Sequence, residues 1–202
     1  MKSNSVAQSL LVVAGIVFAV QAPAQEAKKQ PAPSAEEKAM MDKMMQAGVP
    51  GAAHKKLEPL AGRFKIRTRA WMDPAQPPEE STGTSERKWI MGNRYLQENF
   101  QGSYRGQPFT GLGTMGYDNV VGKYFGTWID SMSTSTTTAR GALDGNVLKY
   151  EGTMSDPMSG KEAPYTMLYT IAGHDSHTME MWGPGPDGKN VKWMETTYTR
   201  VK

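Results

Sequence analysis

Six carboxylates that could do acid–base chemistry are spread along the sequence: Glu98, Asp118, Asp130, Asp156, Glu180 and Glu195. Two carboxyl groups that face one cavity can have their pKa values driven apart and act as acid and base. The sequence does not reveal which pair meets, and buried carboxylates bonded to Tyr, Trp or backbone groups are the favoured interpretation. Asp130, two residues after Trp128, is the first candidate for such an anchor. The absence of cysteine excludes a catalytic thiol, and no serine lies in a nucleophile-elbow context.

The three histidines are His54, His174 and His177. His174 and His177 flank a predicted turn, where their rings could converge on a metal ion. Zinc requires three or four ligands, and the spacing supplies no third, so exposed turn histidines are the favoured interpretation. We therefore predict no metal and no cofactor.

The chain contains 15 methionines, four of them at positions 40, 41, 44 and 45. Thioethers can bind Cu(I), which needs only two or three convergent sulfurs. Methionine more often fills irregular gaps in a hydrophobic core. We expect this stripe to pack against the rest of the protein.

Residues 111–116 spell the Gly-x-Gly-x-x-Gly pattern of dinucleotide-binding proteins. That function needs a helix directly after the glycines, because the helix N-terminus holds the pyrophosphate. Here Tyr117-Asp118-Asn119 and a further strand follow instead. Glycines beside bulky aromatic residues are better interpreted as bends in a β-barrel wall.

Composition limits the class of protein. The chain has 202 residues, a net charge of +3 and no cysteine, and its mean hydropathy of -0.56 excludes a protein with many membrane spans. The length suits one domain. Arg63, Lys65, Arg67 and Arg69 alternate along one predicted strand, which indicates a solvated outer face. Nucleic-acid binding would need clustered charge with exposed stacking aromatics, so we predict no nucleic-acid partner.

The N-terminal segment resembles an export signal. Lys2 precedes a short apolar run, and Ala22-Pro23-Ala24 fits a signal-peptidase site. We expect residues 1–24 to be removed, which leaves no membrane span and places the protein in the periplasm or outside the cell. Residues 25–33 have the composition of a disordered leader.

The remaining chain predicts one amphipathic helix followed by a β-domain over residues 54–202. The helix, residues 34–48, begins with a capping box formed by Ser34 and Glu37 and stops at Gly48 and Pro50. From Phe64 onward about ten runs alternate with period two and are separated by turn residues such as Asp144-Gly145-Asn146. Such a series favours an all-β, antiparallel up-and-down barrel, because closure removes the sheet edges. Several runs carry polar residues on both faces, which points to a partly polar cavity.

Particular motifs resemble the bacterial family called domain of unknown function 1579. These are His54 to Gly62, Trp89 to Leu96, Pro108 to Gly111 with Gly116 to Asn119, Thr127 to Met132, and Tyr198 to Arg200. The resemblance covers about residues 54–200 and brings no activity with it.

The family in turn resembles calycins, the lipocalin-like, fatty-acid-binding and nitrobindin-type barrels. That likeness implies that Arg200 lies across the aromatic ring at the Gly62-Arg63-Phe64 opening, where calycins usually have Trp, and closes one end of the barrel. With Arg200 inward, alternation places Lys192, Met194, Thr196 and Tyr198 inward as well, unless a bulge reverses the register. Nitrobindin-type barrels bind ferric haem through one histidine, and only His177 could lie in a strand. We therefore assign no haem ligand.

Taken together, the sequence predicts reversible binding of a small hydrophobic or amphipathic molecule in the barrel. The predicted ligand-binding residues are Trp89, Glu98, Tyr117, Trp128, Asp130, Lys192 and Tyr198. Two alternatives stay open: a hydrolase or isomerase that uses carboxylates in the cavity, and a structural envelope protein whose filled barrel binds nothing. The sequence leaves ligand identity and oligomeric state open.

Overall fold

The computed structural model describes residues 32–185 and 187–202. The predicted signal peptide and almost all of the predicted leader lie outside these residues. In the described part of the chain, no helix has both the length and the apolar character needed to cross a membrane.

Ten antiparallel strands follow two short helices and a 3₁₀ turn, Glu58–Leu60. The helices are α1 (Ala35–Ala47) and α2 (Ala52–Lys55). The strands are β1 (Gly62–Ala70), β2 (Glu79–Ile90), β3 (Tyr95–Tyr104), β4 (Gln107–Asp118), β5 (Lys123–Asp130), β6 (Thr137–Asp144), β7 (Val147–Asp156), β8 (Lys161–Ile171), β9 (Ser176–Pro184) and β10 (Asn190–Arg200).

Each strand pairs with its neighbours in the chain, and β1 pairs with β10 to close the barrel. This arrangement confirms the predicted all-β, up-and-down barrel with a short N-terminal helix. Side chains alternate between the two faces, so Phe64 and Ile66 of β1 are buried while the intervening Lys65 is exposed. On the outer face Arg67 pairs with Glu80 of β2 at 2.8 Å, and Arg63 pairs with Glu86 at 2.9 Å.

One end of the barrel is closed by α2 and the 3₁₀ turn. Leu57 and Leu60 are fully buried there. The guanidinium of Arg200 donates to the backbone oxygens of Pro59 and Ala61 at 2.9 and 2.7 Å, and its Cζ lies 4.7 Å from the centre of the Phe64 ring. Phe64 and Arg200 are directly opposite each other in the β1–β10 register. The structure thus places the two residues in the contact that the calycin resemblance implies.

Gly62 is needed at this closed end. Its φ is 130°, and a Cβ atom there would lie 2.0 Å from Arg200 Nη1. Any side chain at position 62 would therefore displace the guanidinium that closes the barrel.

Helix α1 differs from the expectation in one respect. The capping box is present, with Ser34 Oγ accepting from the Glu37 backbone and Glu37 Oε2 accepting from the Ser34 backbone. The expected packing of Met40, Met41, Met44 and Met45 is wrong, because these side chains are 56–68% exposed. The helix is held at its C-terminal end instead, where Asn119 Nδ2 donates to the carbonyls of Ala47 and Val49.

Candidate functional site

A cavity of about 310 Å³ lies inside the barrel. It runs from a polar floor near α2 to the opposite end, which we call the mouth, where Ser103, Tyr104, Asp130 and Thr137 contribute to its lining. Those four residues lie at or next to strand ends, and none of them is buried. The cavity therefore reaches the surface at the end opposite the Arg200 closure.

One side of the cavity is an aromatic wall made of Phe100, Phe109 and Trp128. The Phe109 and Trp128 rings stack at 6.5 Å between centres, and Phe100 meets both rings edge-on at 5.7 and 6.2 Å. These three residues come from the neighbouring strands β3, β4 and β5, so they form one continuous apolar surface.

Two glycines of the Gly-x-Gly-x-x-Gly segment let this wall lie flat. A Cβ atom on Gly111 would be 2.1 Å from the Trp128 ring, and one on Gly113 would be 3.2 Å from it. Both glycines are in β4, which continues to Asp118 and turns directly into β5. No helix follows, so the segment lacks the structure that dinucleotide binding needs, and its glycines make room for aromatic rings.

The other side of the cavity is a methionine wall made of Met154, Met167, Met179, Met181 and Met194. Met181 of β9 is opposite Met167 of β8 in one pairing and Met194 of β10 in the other. Three adjacent strands thus present thioethers at one level. Because methionine is flexible and polarisable, such a wall can adapt to the shape of a ligand and contact aromatic rings favourably.

The floor of the cavity contains a buried ion pair. Arg87 Nη2 donates to Glu98 Oε2 at 2.9 Å, and Ser85 Oγ donates to Glu98 Oε1 at 2.6 Å. The side chains of Arg87 and Glu98 are 0% and 6% exposed. Burial acts to lower the pKa of Arg87, but the charge of Glu98 outweighs it and the pKa is raised, so the guanidinium stays charged. A charge buried this deeply is tolerated only when its partner is in place.

His177 completes the floor and is neutral. Arg87 Nη1 donates to His177 Nε2 at 2.8 Å; because a guanidinium has no acceptor, Nε2 must accept and the ring proton lies on Nδ1. Burial, together with the charges of Arg87 and Arg200, lowers the pKa of His177 to about 2. The imidazole stacks on Tyr198 at 4.3 Å.

The aromatic neighbours of the ion pair also stay uncharged. Arg87 Cζ lies 4.4 Å from the centre of the Tyr198 ring and 5.4 Å from that of Tyr169. Burial raises the pKa of Tyr169 to about 12 and raises the pKa values of Tyr150 and Tyr198 well above 10. Within the described chain, Arg87 Nε and His177 Nδ1 are buried without a hydrogen-bond partner.

His177 therefore departs from the sequence interpretation of an exposed turn histidine: it is 1% exposed and lies in β9. It does not fit a haem either, since Arg87 occupies Nε2 and Tyr198 covers the ring. His174 is exposed beside Asp175. In the described ranges, no three His, Asp or Glu side chains are placed to hold one metal ion.

Four of the seven predicted ligand-binding residues line the cavity, namely Glu98, Trp128, Asp130 and Tyr198. Asp130 accepts from Trp128 Nε1 at 3.0 Å and from the Met132 backbone at 2.9 Å, and it lies at the mouth. Glu98 and Tyr198 belong to the floor. These four residues span the length of the cavity.

Lys192 does not line the cavity, because β10 contains a bulge. The pairing with β9 shifts between Lys192 and Met194, so alternation holds for Met194, Thr196 and Tyr198 but reverses at Lys192. Its ammonium donates to Glu180 Oε1 at 2.9 Å and also to Glu195. Glu180 and Glu195 fall between cavity-facing residues in β9 and β10, so Lys192 lies on the outer face.

Trp89 and Tyr117 are absent from the lining for a different reason: both lie at the closed end. Trp89 Nε1 donates to Glu58 Oε2 at 2.8 Å. Tyr117 packs edge-on against His54 and Tyr124 at 5.9 and 4.9 Å. These aromatic residues help to pack α2 and the 3₁₀ turn onto the barrel.

Arg87 and the methionine wall were not among the residues predicted to form the site. The signal for Arg87 was present: with Trp89 taken as inward, alternation along β2 places Arg87 and Ser85 on the same face. The other carboxylates on the initial list do not reach the cavity. Asp118 and Asp156, for example, accept hydrogen bonds from the backbones of their own turns.

Similarity to one solved structure supports the barrel fold. Rv2717c from M. tuberculosis matches with a TM-score of 0.54 and 17% identity, over 76% of this chain and 100% of that one. A redesigned β-barrel matches with a TM-score of 0.39 and 14% identity, over 74% of this chain and 96% of that one. At these identities the likeness to Rv2717c concerns the fold alone.

No curated protein matches the sequence. The model of the family described as "Protein of unknown function (DUF1579)" matches residues 49–200. That range contains the closed end, all ten strands and both walls of the cavity, and the chain therefore belongs to the DUF1579 family.

Proposed function

We propose that the barrel reversibly binds one small, partly apolar molecule in its cavity. The observation that carries this proposal is a continuous cavity of about 310 Å³ with apolar walls and a polar floor. Small-molecule sites are usually concave, largely apolar and supplied with a few polar groups, with volumes from about 300 Å³ upward. The aromatic and methionine walls supply contact area, and the floor and Asp130 supply polar ends.

The cavity favours binding over the two alternative functions. In a filled barrel the inward side chains would meet at the axis, whereas here Gly111 and Gly113 let the Trp128 ring lie against β4. For acid–base catalysis Glu98 and Asp130 should be available to a substrate. Each is already engaged, Glu98 by Arg87 and Ser85 and Asp130 by the Trp128 indole.

Native mass spectrometry of the protein purified from its own host tests this proposal. We expect a small co-purifying mass that is lost on denaturation. Its mass would also identify the chemical class of the ligand. A bare protein that also fails to bind N-phenyl-1-naphthylamine, an apolar fluorescent probe, would contradict the proposal.

A pair of variants on β10 localises the binding. Thr196 is buried and lines the cavity, whereas the next residue, Thr197, belongs to the opposite face of the sheet. Thr196→Trp should fill the cavity and abolish probe binding, while Thr197→Trp adds the same side chain outside and should leave binding unchanged. If the two variants changed probe binding equally, the bound probe would lie outside the cavity.

We also propose that the protein is exported to the periplasm or beyond after cleavage behind Ala24. The support is the charge at Lys2, the apolar run from Leu10 to Val20 and the Ala22-Pro23-Ala24 site. The intact mass of the protein from its native compartment should correspond to a chain that begins at Gln25. Recovery of the full-length chain from the cytoplasm would contradict export.

A further inference from the structure

The charges inside the cavity restrict which molecules can enter it. Among the described residues that line the cavity, three carry ionisable charge near neutral pH: Arg87, Glu98 and Asp130. Arg87 and Glu98 form the floor, and Asp130 lies at the mouth. The lining thus carries one positive and two negative charges, and its other described residues are uncharged.

The cation is already neutralised. Arg87 Nη2 donates a hydrogen bond to Glu98 at 2.9 Å, and Nη1 donates one to His177 at 2.8 Å. The rings of Tyr198 and Tyr169 pack against the same group at 4.4 and 5.4 Å. Nε is the guanidinium nitrogen that has no partner within the described chain.

An anionic ligand would therefore be opposed at both ends of the cavity. At the floor its carboxylate or sulfonate would share one guanidinium with Glu98, and two anions around one cation in a low-dielectric site repel each other. At the mouth it would pass the carboxylate of Asp130.

A cationic ligand meets the complementary obstacle. Both Glu98 oxygens already accept hydrogen bonds, from Ser85 and from Arg87. Any cation that reached Glu98 would also approach the buried positive charge of Arg87. Neither sign of charge finds a free counterion on the floor.

We infer that the cavity selects uncharged ligands: an apolar, preferably aromatic body between the aromatic and methionine walls, with a neutral hydroxyl or carbonyl group toward Arg87. This inference rests on the proposed function and specifies its ligand class. A neutral oxygen can accept from Arg87 Nε, which has no partner within the described chain, without displacing Glu98.

Two fluorescent probes that share one skeleton test the inference. N-Phenyl-1-naphthylamine is neutral, and 8-anilinonaphthalene-1-sulfonate carries a sulfonate on the same framework. In competition titrations the native protein should bind the neutral probe about tenfold or more tightly than the sulfonate, the size of one charge-assisted hydrogen bond.

Glu98→Gln should remove most of this preference, because it leaves Arg87 with an uncompensated charge. We expect the sulfonate to bind about tenfold more tightly than it does to the native protein and to raise the melting temperature of the variant, while the neutral probe changes little. Glu86→Gln is the matched control, since it makes the same substitution on the outer face of β2, where Glu86 pairs with Arg63. It should leave the preference as in the native protein.

Asp130→Asn keeps the test decisive if Glu98→Gln does not fold. Asp130 is at the mouth, and its replacement should strengthen sulfonate binding by about two- to threefold through loss of one partly solvated like charge. Failure of both probes to bind the native protein would overturn the proposed function. Binding of the sulfonate as tightly as the neutral probe, with no response to Asp130→Asn, would overturn the charge selection alone.

Discussion

The floor and the walls of the cavity belong to the same ten strands and have opposite chemistry. On the floor, Arg87, Glu98, Ser85 and His177 are joined by hydrogen bonds of 2.6 to 2.9 Å. On the walls, Met181 and its neighbours touch through apolar atoms that can change rotamer at little cost. A buried polar network tolerates no missing partner, whereas an apolar surface tolerates changes of shape.

This contrast assigns different roles to the two regions. The floor holds β2, β3 and β9 in one arrangement and sets the charge of the cavity. In the proposed function, the walls determine which ligand shapes fit. Substitutions on the floor should therefore act mainly on folding stability, and substitutions on the walls mainly on ligand affinity.

The largest effect is expected from breaking the floor ion pair. Arg87→Met leaves Glu98 buried without its partner, and such a change costs about 3–5 kcal/mol of unfolding free energy. Urea denaturation of the purified variant measures this loss.

Two further variants separate the ion pair from general effects of losing arginine. The double variant Arg87→Met with Glu98→Leu removes both charges and should recover most of the stability. Arg67→Met breaks the exposed pair with Glu80 on the outer face and should be far milder. If Arg87→Met were no more harmful than Arg67→Met, the floor would not be the stabilising region.

The next effect concerns pH and His177. Its pKa is about 2 in the folded protein against an ordinary value of 6.5, so the unfolded chain binds a proton that the folded chain refuses. The contribution is fully present above pH 6.5 and is lost as the pH falls from 6.5 toward 2. Each pH unit inside this window costs about 1.4 kcal/mol, or about 2 kcal/mol between pH 6.5 and 5.

Thermal unfolding across pH 7.5 to 5 measures this slope. His177→Gln removes the titrating group, and its stability should depend less on pH than that of the native protein. His174→Gln replaces an exposed histidine and should keep the native slope. A slope that His177→Gln leaves intact would assign the pH dependence to other groups.

Much of the fold could be predicted from the sequence because its signals are local. Alternation at Phe64, Ile66 and Thr68 identifies β1, and Asp144-Gly145-Asn146 identifies the turn between β6 and β7. Once about ten such strands follow one another, closing the sheet into a barrel pairs the backbone groups of its two edge strands.

The site was harder to predict because alternation gives the face of a residue and not its level along the barrel axis. Trp89 and Trp128 are both inward by alternation, yet the first packs at the closed end and the second lines the cavity. Lys192 was placed in the cavity lining for another local reason: alternation cannot anticipate the bulge beside it. Arg87 was overlooked because arginine is rarely buried unless paired, and its partner Glu98 lies on another strand.

The walls offer the smallest and most selective change. Gly111→Ala places a methyl group 2.1 Å from the Trp128 ring, so the ring must move toward the cavity. Since the cavity gives it room to move, we expect a stability loss of about 1 kcal/mol, at the low end for overpacking. Binding of N-phenyl-1-naphthylamine should weaken several-fold, because the displaced indole occupies the ligand volume. This loss of affinity should be larger than the small loss of stability suggests.

Gly126→Ala is the matched control for that change. Gly126 lines the same cavity from the adjacent strand, but a Cβ atom there would meet its nearest neighbour, Tyr150, at 3.8 Å, which is ordinary contact. Both variants add one methyl group to a β-strand glycine, so strand propensity changes equally in the two. Fluorescence titration should therefore show near-native affinity for Gly126→Ala and reduced affinity for Gly111→Ala. Equal affinities would mean that the position of the Trp128 ring does not limit what the walls admit.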